Sequence, residues 1–165
     1  MTPIEGAFYP YDEEGDIVDI KKGATTTHDF TVVPYLEVEW VNEPHLMAED
    51  NNRIEATIKF TRNANPKDAE GEDTRPAVSE IYLFVSSNQY VGNGNCYDDI
   101  ISTGMPPNAG KVTTPLFLQE NREITLRTSR EVKYTNTRYY VRVGVRCNDQ
   151  YQKYNYTTIV TVDVP

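Results

Sequence analysis

The chain has 165 residues, a formal net charge of −9 and 38% hydrophobic residues, which fits one ordinary globular domain or one domain with a fragment of a second. Because proteins that bind nucleic acid neutralise its phosphates with Lys and Arg, this acidic balance argues against nucleic acid and anionic membranes as partners. No run of about 18 apolar residues is present, and the first 15 residues lack the pattern of a signal peptide, so we expect a soluble chain without a membrane span.

The first part of the sequence predicts strands and no helix. Tyr, Thr and Val recur along the chain, and apolar residues alternate with a period of two without any sustained helical period. Residues 16–20 and 25–33 are predicted to pair as a hairpin. A half-buried strand follows at residues 36–40, and a polar connection over residues 42–52 leads to a second such strand at residues 54–61.

The middle of the chain combines long polar loops with one strongly apolar strand. Residues 63–77 hold two prolines, a glycine and six charged residues, and they are predicted to form a loop. Residues 80–86 are apolar in both phases, which is typical of a central strand that is covered on both faces. Residues 88–111 are rich in Asn, Gly and Pro and predict only a short strand near residues 97–101.

The last third of the chain predicts weak strands at residues 123–129 and 132–134, and then two long ones. Odd-numbered residues share the apolar face of residues 139–147, and even-numbered residues share one face of residues 156–164. About seven strands with polar connections predict an all-β fold, an antiparallel β-sandwich of the immunoglobulin or fibronectin type III kind. Tyr139, at the start of the penultimate strand, is predicted to form the tyrosine corner of such sandwiches.

Charge is unevenly distributed along the chain. Residues 1–50 carry a net charge of −10, whereas residues 121–165 carry a net charge of +4. Solvated surfaces explain such gradients in most proteins. The basic C-terminal strands nevertheless remain compatible with an acidic glycan or an acidic partner surface.

Several segments together resemble a known family, the domain-of-unknown-function family 3823 of Bacteroidetes lipoproteins, which are encoded near SusC-like and SusD-like glycan-uptake proteins. The resemblance is to the C-terminal region of that family and extends over most of this chain. The segments that carry it are residues 5–10, 18–20 with Gly23 and residues 25–27, 29–36, 83–86 and 90–92.

The resemblance implies two domains. Residues 1–33 would be the closing strands of an N-terminal sandwich similar to transthyretin and carboxypeptidase regulatory domains, and residues 34–165 would form the fibronectin type III-like sandwich. The chain is then expected to be an N-terminally truncated piece of a lipoprotein that is anchored by lipid at the cell surface of the outer membrane. Its expected partners are glycans or SusC-like and SusD-like surface proteins.

The sequence offers no convincing catalytic site. His28 and His45 are the only histidines, and no Ser-His-Asp, HExxH or GxSxG pattern is present. Glu37 and Glu39 lie on one face of the first half-buried strand and superficially resemble the carboxylate pair of retaining glycosidases. Neighbouring acids on an exposed strand more often only increase solubility, so we expect no enzyme activity, and an enzyme that uses these two residues is an alternative.

Acidic loop clusters and two cysteines are the remaining special features. The clusters at residues 12–16, 49–52 and 98–99 could supply oxygens to calcium, but solvated loops account for them better, and we expect neither a metal nor a cofactor. Cys96 and Cys147 could form a disulfide in an extracellular protein. A buried free thiol at Cys147, on the inward phase of its strand, is an equal alternative.

A turn near the C-terminus is the best candidate for a ligand site. Tyr151, Tyr154, Asn155 and Asp149 fall within eight residues, and sugars are bound by aromatic faces together with directional polar groups. The site is predicted to extend along the preceding strand to three further residues: Tyr140, Arg142 and Arg146. In the alternative interpretation, the tyrosines only cover the end of the sandwich.

The predicted function is that of a non-catalytic binding or assembly module of a lipoprotein for polysaccharide capture and uptake. A purely structural spacer and a glycoside-active enzyme are the alternatives.

Overall fold

The structure is a computed structural model, and it describes residues 7–9, 23, 25, 32–47, 49–50 and 52–165. Its elements are strands and two single 3-10 turns, Asp98–Ile100 and Pro115–Phe117. The strands are β1 Leu36–Met47, β2 Arg53–Arg62, β3 Val78–Ser86, β4 Lys111–Val112, β5 Ile124–Arg127, β6 Thr137–Cys147, β7 Tyr154–Tyr156 and β8 Val160–Val164. Among the described residues, no helix is long and apolar enough to cross a membrane.

These strands form two antiparallel sheets. The smaller sheet has the order β1-β2-β5, and the larger sheet has the order β4-β3-β6, with both β7 and β8 paired to β6. The sheets do not close into a barrel, and their apolar faces pack on each other. The all-β antiparallel sandwich that the sequence predicts is therefore confirmed.

The core lies between the two sheets and follows from the period-two pattern of the strands. Every second side chain of β2, β3, β5 and β6 is buried there, because successive side chains of a strand point to opposite faces. The central members of this core are Ile54, Ile58, Phe60, Ile81, Leu83, Val85, Leu126, Val141, Val143 and Val145.

Tyr139 forms the tyrosine corner that the sequence predicts. Its ring is completely buried in the core. Its hydroxyl accepts a hydrogen bond from the Tyr134 amide (2.7 Å) and donates one to the Tyr134 carbonyl (3.1 Å). The phenol thus fixes the connection that enters β6.

We expect Tyr139→Phe to lower the free energy of unfolding by about 1.5 kcal/mol, because it leaves a part-buried amide and carbonyl without a partner. Urea denaturation measures the change. Tyr134→Phe is the matched control, since the bonds of Tyr134 in the corner are made by its backbone, and it should cost less than about 0.5 kcal/mol. Equal stability of the two variants would contradict this role of the Tyr139 hydroxyl.

The structure corrects three predicted elements. β1 continues through the predicted polar connection to Met47, with register shifts around Asn42. β1 is an edge strand, and an edge strand tolerates such bulges and the buried Pro44. The strand expected near residues 97–101 is instead a 3-10 turn. Residues 132–134 form no strand.

The sequence predicts one continuous strand at residues 156–164, and this prediction was wrong. β7 and β8 are separated at residues 157–159, so Tyr156 points away from the core whereas Val162 points into it. Two bonds hold this break: the Thr157 hydroxyl accepts from the Val143 amide (3.0 Å), and Trp40 Nε1 donates to the Thr158 carbonyl (3.2 Å). A break of three residues changes the phase of the alternation.

The predicted N-terminal hairpin and the proposed remnant domain at residues 1–33 lie largely outside the described residues. Of this region, residues 7–9 run beside the residues that precede β1. The Tyr9 amide donates to the Val33 carbonyl and the Tyr35 amide donates to the Ala7 carbonyl, both at 2.9 Å. The division into two domains therefore stays a prediction.

Candidate functional site

The larger sheet carries a second apolar layer on the face that points away from the core. One face of an antiparallel sheet is commonly solvated, so an apolar outer face needs a reason. Here Phe84, Val91 and Tyr154 are buried, and Tyr82, Tyr140 and Tyr156 pack against them half-buried. We call these six residues the outer aromatic cluster.

The rings of this cluster meet edge to face and in offset stacks. Tyr82 stacks on Phe84 with ring centroids 4.5 Å apart and an interplanar angle of 19°. Phe84 in turn meets Tyr154 edge-on at 5.2 Å and Tyr156 at 5.7 Å. Such pairs add stability beyond the area that they bury, so the rings form one connected surface.

Gly144 lies beneath the centre of this surface. In the register of the sheet it is opposite Tyr82 on β3 and Tyr156 on β7. A Cβ atom at this position would lie 2.8 Å from Phe84 Cε2, 2.9 Å from Tyr154 Cδ1 and 3.0 Å from Tyr156 Cε1. The close approach of the three rings therefore requires glycine.

Glu80 anchors one end of the outer aromatic cluster. It is only 4% exposed, yet its carboxylate is fully paired: Lys111 Nζ lies at 2.8 Å, Arg146 at 3.3 Å, and the Tyr154 hydroxyl donates to it. Burial, and after it this bond, raises the pKa of Tyr154 well above its usual value. The phenol therefore stays protonated as the donor to Glu80.

Arg142 lies at the centre of the same face. Its guanidinium carbon is 3.7 Å from the centroid of the Tyr156 ring, a close cation–π contact. A Cβ at the buried Gly92 would lie 2.3 Å from Arg142 Nη2, so the backbone of Gly92 packs directly beside the guanidinium. The guanidinium is thus held between an aromatic ring and the main chain.

Residues 87–97, which we call the covering loop, fold back over the outer aromatic cluster. Val91 is completely buried in the cluster, and the Asn93 amide lies 3.4 Å from the Tyr156 hydroxyl. Asn88 Oδ1 accepts from the Tyr90 amide, and Asn95 Nδ2 donates to the Tyr90 carbonyl. These bonds fix the backbone of the tip while the Tyr90 side chain is 74% exposed.

The structure brings four of the seven predicted ligand residues together on this outer face. Tyr140 is a member of the cluster, Arg142 lies beside it, and Arg146 has its guanidinium carbon 5.3 Å from the ring centroid of Tyr154. Tyr154 is buried and belongs to β7, where its ring supports the face. Four of the predicted residues therefore lie on one surface. That surface is the outer face of the larger sheet and not the predicted turn.

The other three predicted residues lie apart from that surface. Tyr151 is 53% exposed in the β6–β7 loop, and Asp149 accepts bonds from the Tyr151 and Gln152 amides. Asn155 points to the opposite face of the sheet from Tyr154, and its amide donates to the Ala7 carbonyl at 3.0 Å. A ligand role for any of the seven residues stays a prediction.

The β6–β7 loop lies close to the segment that precedes β1. Burial, and then the nearby Asp149 and Tyr151, raises the pKa of Tyr35, which directly precedes β1. Asn148 donates its amide to the Ala77 carbonyl (2.7 Å), so the same end of the sandwich also holds the β2–β3 connection. The loop is therefore a neighbour of residues 7–9 and Tyr35, and it leaves β6 at the end opposite to the one where the covering loop leaves β3.

The two carboxylates considered for catalysis occupy ordinary surface positions. Glu37 and Glu39 are exposed on β1, where Asn63 donates to Glu37 (3.3 Å) and Lys59 pairs with Glu39 (3.0 Å). In the part of the chain that the structure describes, no three or more His, Cys, Asp or Glu side chains form a group able to hold a metal ion. The acidic cluster at residues 12–16 lies outside that part.

The open question of the two cysteines is answered by their positions. Both are free thiols, with Cys147 in the core and Cys96 beside the outer aromatic cluster, on the other side of the larger sheet. Burial raises the pKa of each thiol to about 12, and at Cys96 a hydrogen bond to Asp98 adds to the effect. The structure therefore has no bridge between them.

Most of the sandwich matches the model of a known protein family. The family model of a domain of unknown function, DUF3823_C, matches residues 40–161, which include nearly all of the sandwich. The chain belongs to this family. No curated protein matches the sequence.

Two solved structures resemble this DUF3823_C chain, and both are from Bacteroides uniformis. A DUF3823 family protein has a TM-score of 0.62 and 22% identity, with 82% of this chain and 58% of that one covered. A protein described as a proposed carbohydrate-binding protein has a TM-score of 0.55 and 22% identity, with 83% and 60% covered. The chain thus spans about three fifths of each of these proteins.

Sequence reasoning missed most of the outer face of this DUF3823_C sandwich. Tyr82, Phe84 and Tyr156 were not assigned to a site, nor were Tyr90 and Gly144. The signals were present: residues 80–86 are apolar in both phases, and Tyr154 and Tyr156 alternate. Only the register of β3, β6 and β7 shows that these residues are neighbours.

Proposed function

We propose that this domain binds glycans without modifying them, as a module of a cell-surface lipoprotein that captures polysaccharide for uptake. The observation that carries the proposal is the outer aromatic cluster with its covering loop. An aromatic layer on the outside of a sheet, set beside charged side chains and an Asn-rich loop, has the mixed character of a ligand surface.

The chemistry of this surface suits sugars. The C–H faces of a pyranose ring pack on aromatic rings, and its hydroxyls need directional donors and acceptors. Tyrosine supplies both an apolar body and a polar tip, and the half-buried Tyr140 and Tyr156 present such side chains beside the covering loop. Tyr90 and Asn93, both exposed on that loop, extend the surface outward.

Membership of the family and one structural relative support the carbohydrate class. A relative with 22% identity is described as a proposed carbohydrate-binding protein, and that description is consistent with a glycan ligand here. We also propose assembly with SusC-like or SusD-like proteins, lipid anchoring and a location at the outer membrane.

The two alternative functions, a glycoside-active enzyme and a purely structural spacer, would not depend on the outer aromatic cluster. A glycoside-active enzyme would use Glu37 and Glu39, which lie on β1 in the smaller sheet, whereas the outer aromatic cluster lies on the larger one. Lys59 pairs with Glu39, as in an ordinary surface ion pair. A purely structural spacer would need no aromatic layer on its outer face.

We expect Tyr90→Ala to weaken glycan binding about tenfold, because it removes the most exposed ring at the edge of the cluster while leaving the fold intact. Affinity electrophoresis against a panel of neutral and acidic polysaccharides measures the change. Tyr151→Ala is the matched control, since it removes a similarly exposed ring from the β6–β7 loop at the other end of the sandwich.

Each outcome of that comparison decides between sites or functions. Loss of binding in Tyr151→Ala alone would move the site to the β6–β7 loop, as the sequence predicts. Absence of binding to every member of the panel would favour a spacer. Release of reducing ends that is abolished by Glu37→Gln or Glu39→Gln would establish the enzyme instead.

A further inference from the structure

The positive side chains on the outer face differ in how they are paired. Lys111 and Arg146 both contact Glu80, and Arg138 forms an ion pair with Asp163 at 2.7 Å. Arg142 has no hydrogen-bond acceptor and no carboxylate partner among the residues that the structure describes. Its Nε is buried without a partner; the Nε of Arg146 is too, but another nitrogen of that guanidinium contacts Glu80 at 3.3 Å.

On the basis of the proposed glycan-binding function, we infer that the glycan is acidic and that Arg142 binds its carboxylate or sulfate group. A guanidinium has five N–H donors, and leaving donors without an acceptor in a partly buried site costs free energy. An oxyanion satisfies two of these donors at once in a bidentate pair, which is the preferred geometry for a guanidinium.

Arg142 is also preorganised for such a ligand. Tyr156 covers one side of the guanidinium at 3.7 Å, and Gly92 leaves room for it where any Cβ would collide. The Arg142 side chain is therefore largely ordered before the ligand binds, so binding costs little further conformational entropy. A surface arginine without these contacts would have to lose that freedom on binding.

The carboxylates near this face are already engaged. Glu80 is bound by Lys111, Arg146 and Tyr154. Asp98 accepts bonds from the Tyr82 hydroxyl (2.6 Å) and the Cys96 thiol (3.2 Å). Neither is a partner of Arg142, so an incoming anion meets an uncompensated guanidinium.

The overall charge of the chain makes this inference specific. With a net charge of −9, the protein as a whole repels polyanions. Preference for an acidic glycan must then come from a local contact and not from a general positive field. A single substitution at that contact should therefore remove the preference.

The test compares probes that differ only in charge. Polygalacturonate is paired with its methyl ester to test a carboxylate, and dextran sulfate is paired with dextran to test a sulfate. We expect the full chain to bind one acidic probe about tenfold more tightly than its neutral counterpart, and Arg142→Gln to abolish that preference. Arg138→Gln removes one positive charge from the same strand and should leave it unchanged.

Gly92→Ala guards against a loss that is due only to misfolding. The added methyl would displace the flexible end of Arg142 while keeping its charge and the backbone of the covering loop. We expect this variant to keep its urea midpoint and to lose the preference for the acidic probe, as Arg142→Gln does. Retained preference in Gly92→Ala and Arg142→Gln would overturn the inference.

The remaining outcomes separate this inference from the function on which it rests. Equal binding of the charged and neutral members of both pairs, or binding only to neutral glycans of the panel, would overturn the acidic ligand but leave glycan binding standing. Binding of no glycan would overturn both. A poly-glutamate peptide that binds as tightly as the acidic glycans, through Arg142, would replace the glycan by an acidic protein partner.

Discussion

Glu80→Ala is expected to lower the free energy of unfolding by about 3 kcal/mol, because it removes the shared partner of three groups. Glu80 is 4% exposed, and its carboxylate holds Lys111, Arg146 and the Tyr154 hydroxyl together. Without it, two cations face each other at the edge of the outer aromatic cluster, and a buried phenol loses its acceptor. Chemical denaturation monitored by tyrosine fluorescence measures the loss.

Glu39→Ala provides the matched control for that prediction. It also breaks a carboxylate–lysine pair at 3.0 Å, but both side chains are exposed, so the expected cost is below about 1 kcal/mol. If the two variants lost the same stability, Glu80 would be only a surface ion pair. A double-mutant cycle of Glu80→Ala with Arg146→Ala gives the coupling between these two residues directly.

The fold was largely predictable from the sequence because the core is built on a strict period of two. β6 illustrates this: Tyr139, Val141 and Val145 alternate with Tyr140 and Arg142, and one phase is buried. A one-residue slip would expose the entire apolar set, so a pattern of this length specifies its own orientation. The tyrosine corner followed from the same pattern.

Irregular backbone was the part of the fold that the pattern could not predict. The bulges around Asn42 let β1 continue through residues that do not alternate. The break at residues 157–159 reverses the phase between Tyr156 and Val162. Both features depend on tertiary contacts, such as the bond of Trp40 to the Thr158 carbonyl, that no local window of sequence contains.

The candidate site was predicted only in part, for a related reason. Arg142, Arg146 and Tyr140 were placed correctly on the outward phase of β6, because the alternation defines that phase. Tyr154 was assigned to an open turn, although its ring is buried against Phe84. Residues of β3 and β7 become neighbours only through their common pairing with β6, and sequence distance conceals that relation.

Gly144→Ala is expected to destabilise the domain by about 2 kcal/mol and to abolish the proposed glycan binding. The new Cβ would lie 3.0 Å or less from atoms of Phe84, Tyr154 and Tyr156, and three rings packed on each other cannot all move aside. In a strand without such neighbours the same substitution would stabilise, because alanine lowers the entropy of the unfolded chain. The sign of the effect therefore reports the packing of the outer aromatic cluster, and urea denaturation with near-ultraviolet circular dichroism measures it.

Gly104→Ala is the internal control, since a Cβ there would meet only Ala109 Cβ at 3.4 Å, an ordinary contact. It should leave stability within about 0.5 kcal/mol of the parent chain and leave glycan binding unchanged. A Gly144→Ala variant as stable as Gly104→Ala would mean that the rings do not converge over β6. Without that convergence Tyr156 would lose its fixed position, and Arg142 would no longer be held against it as the anion-binding group.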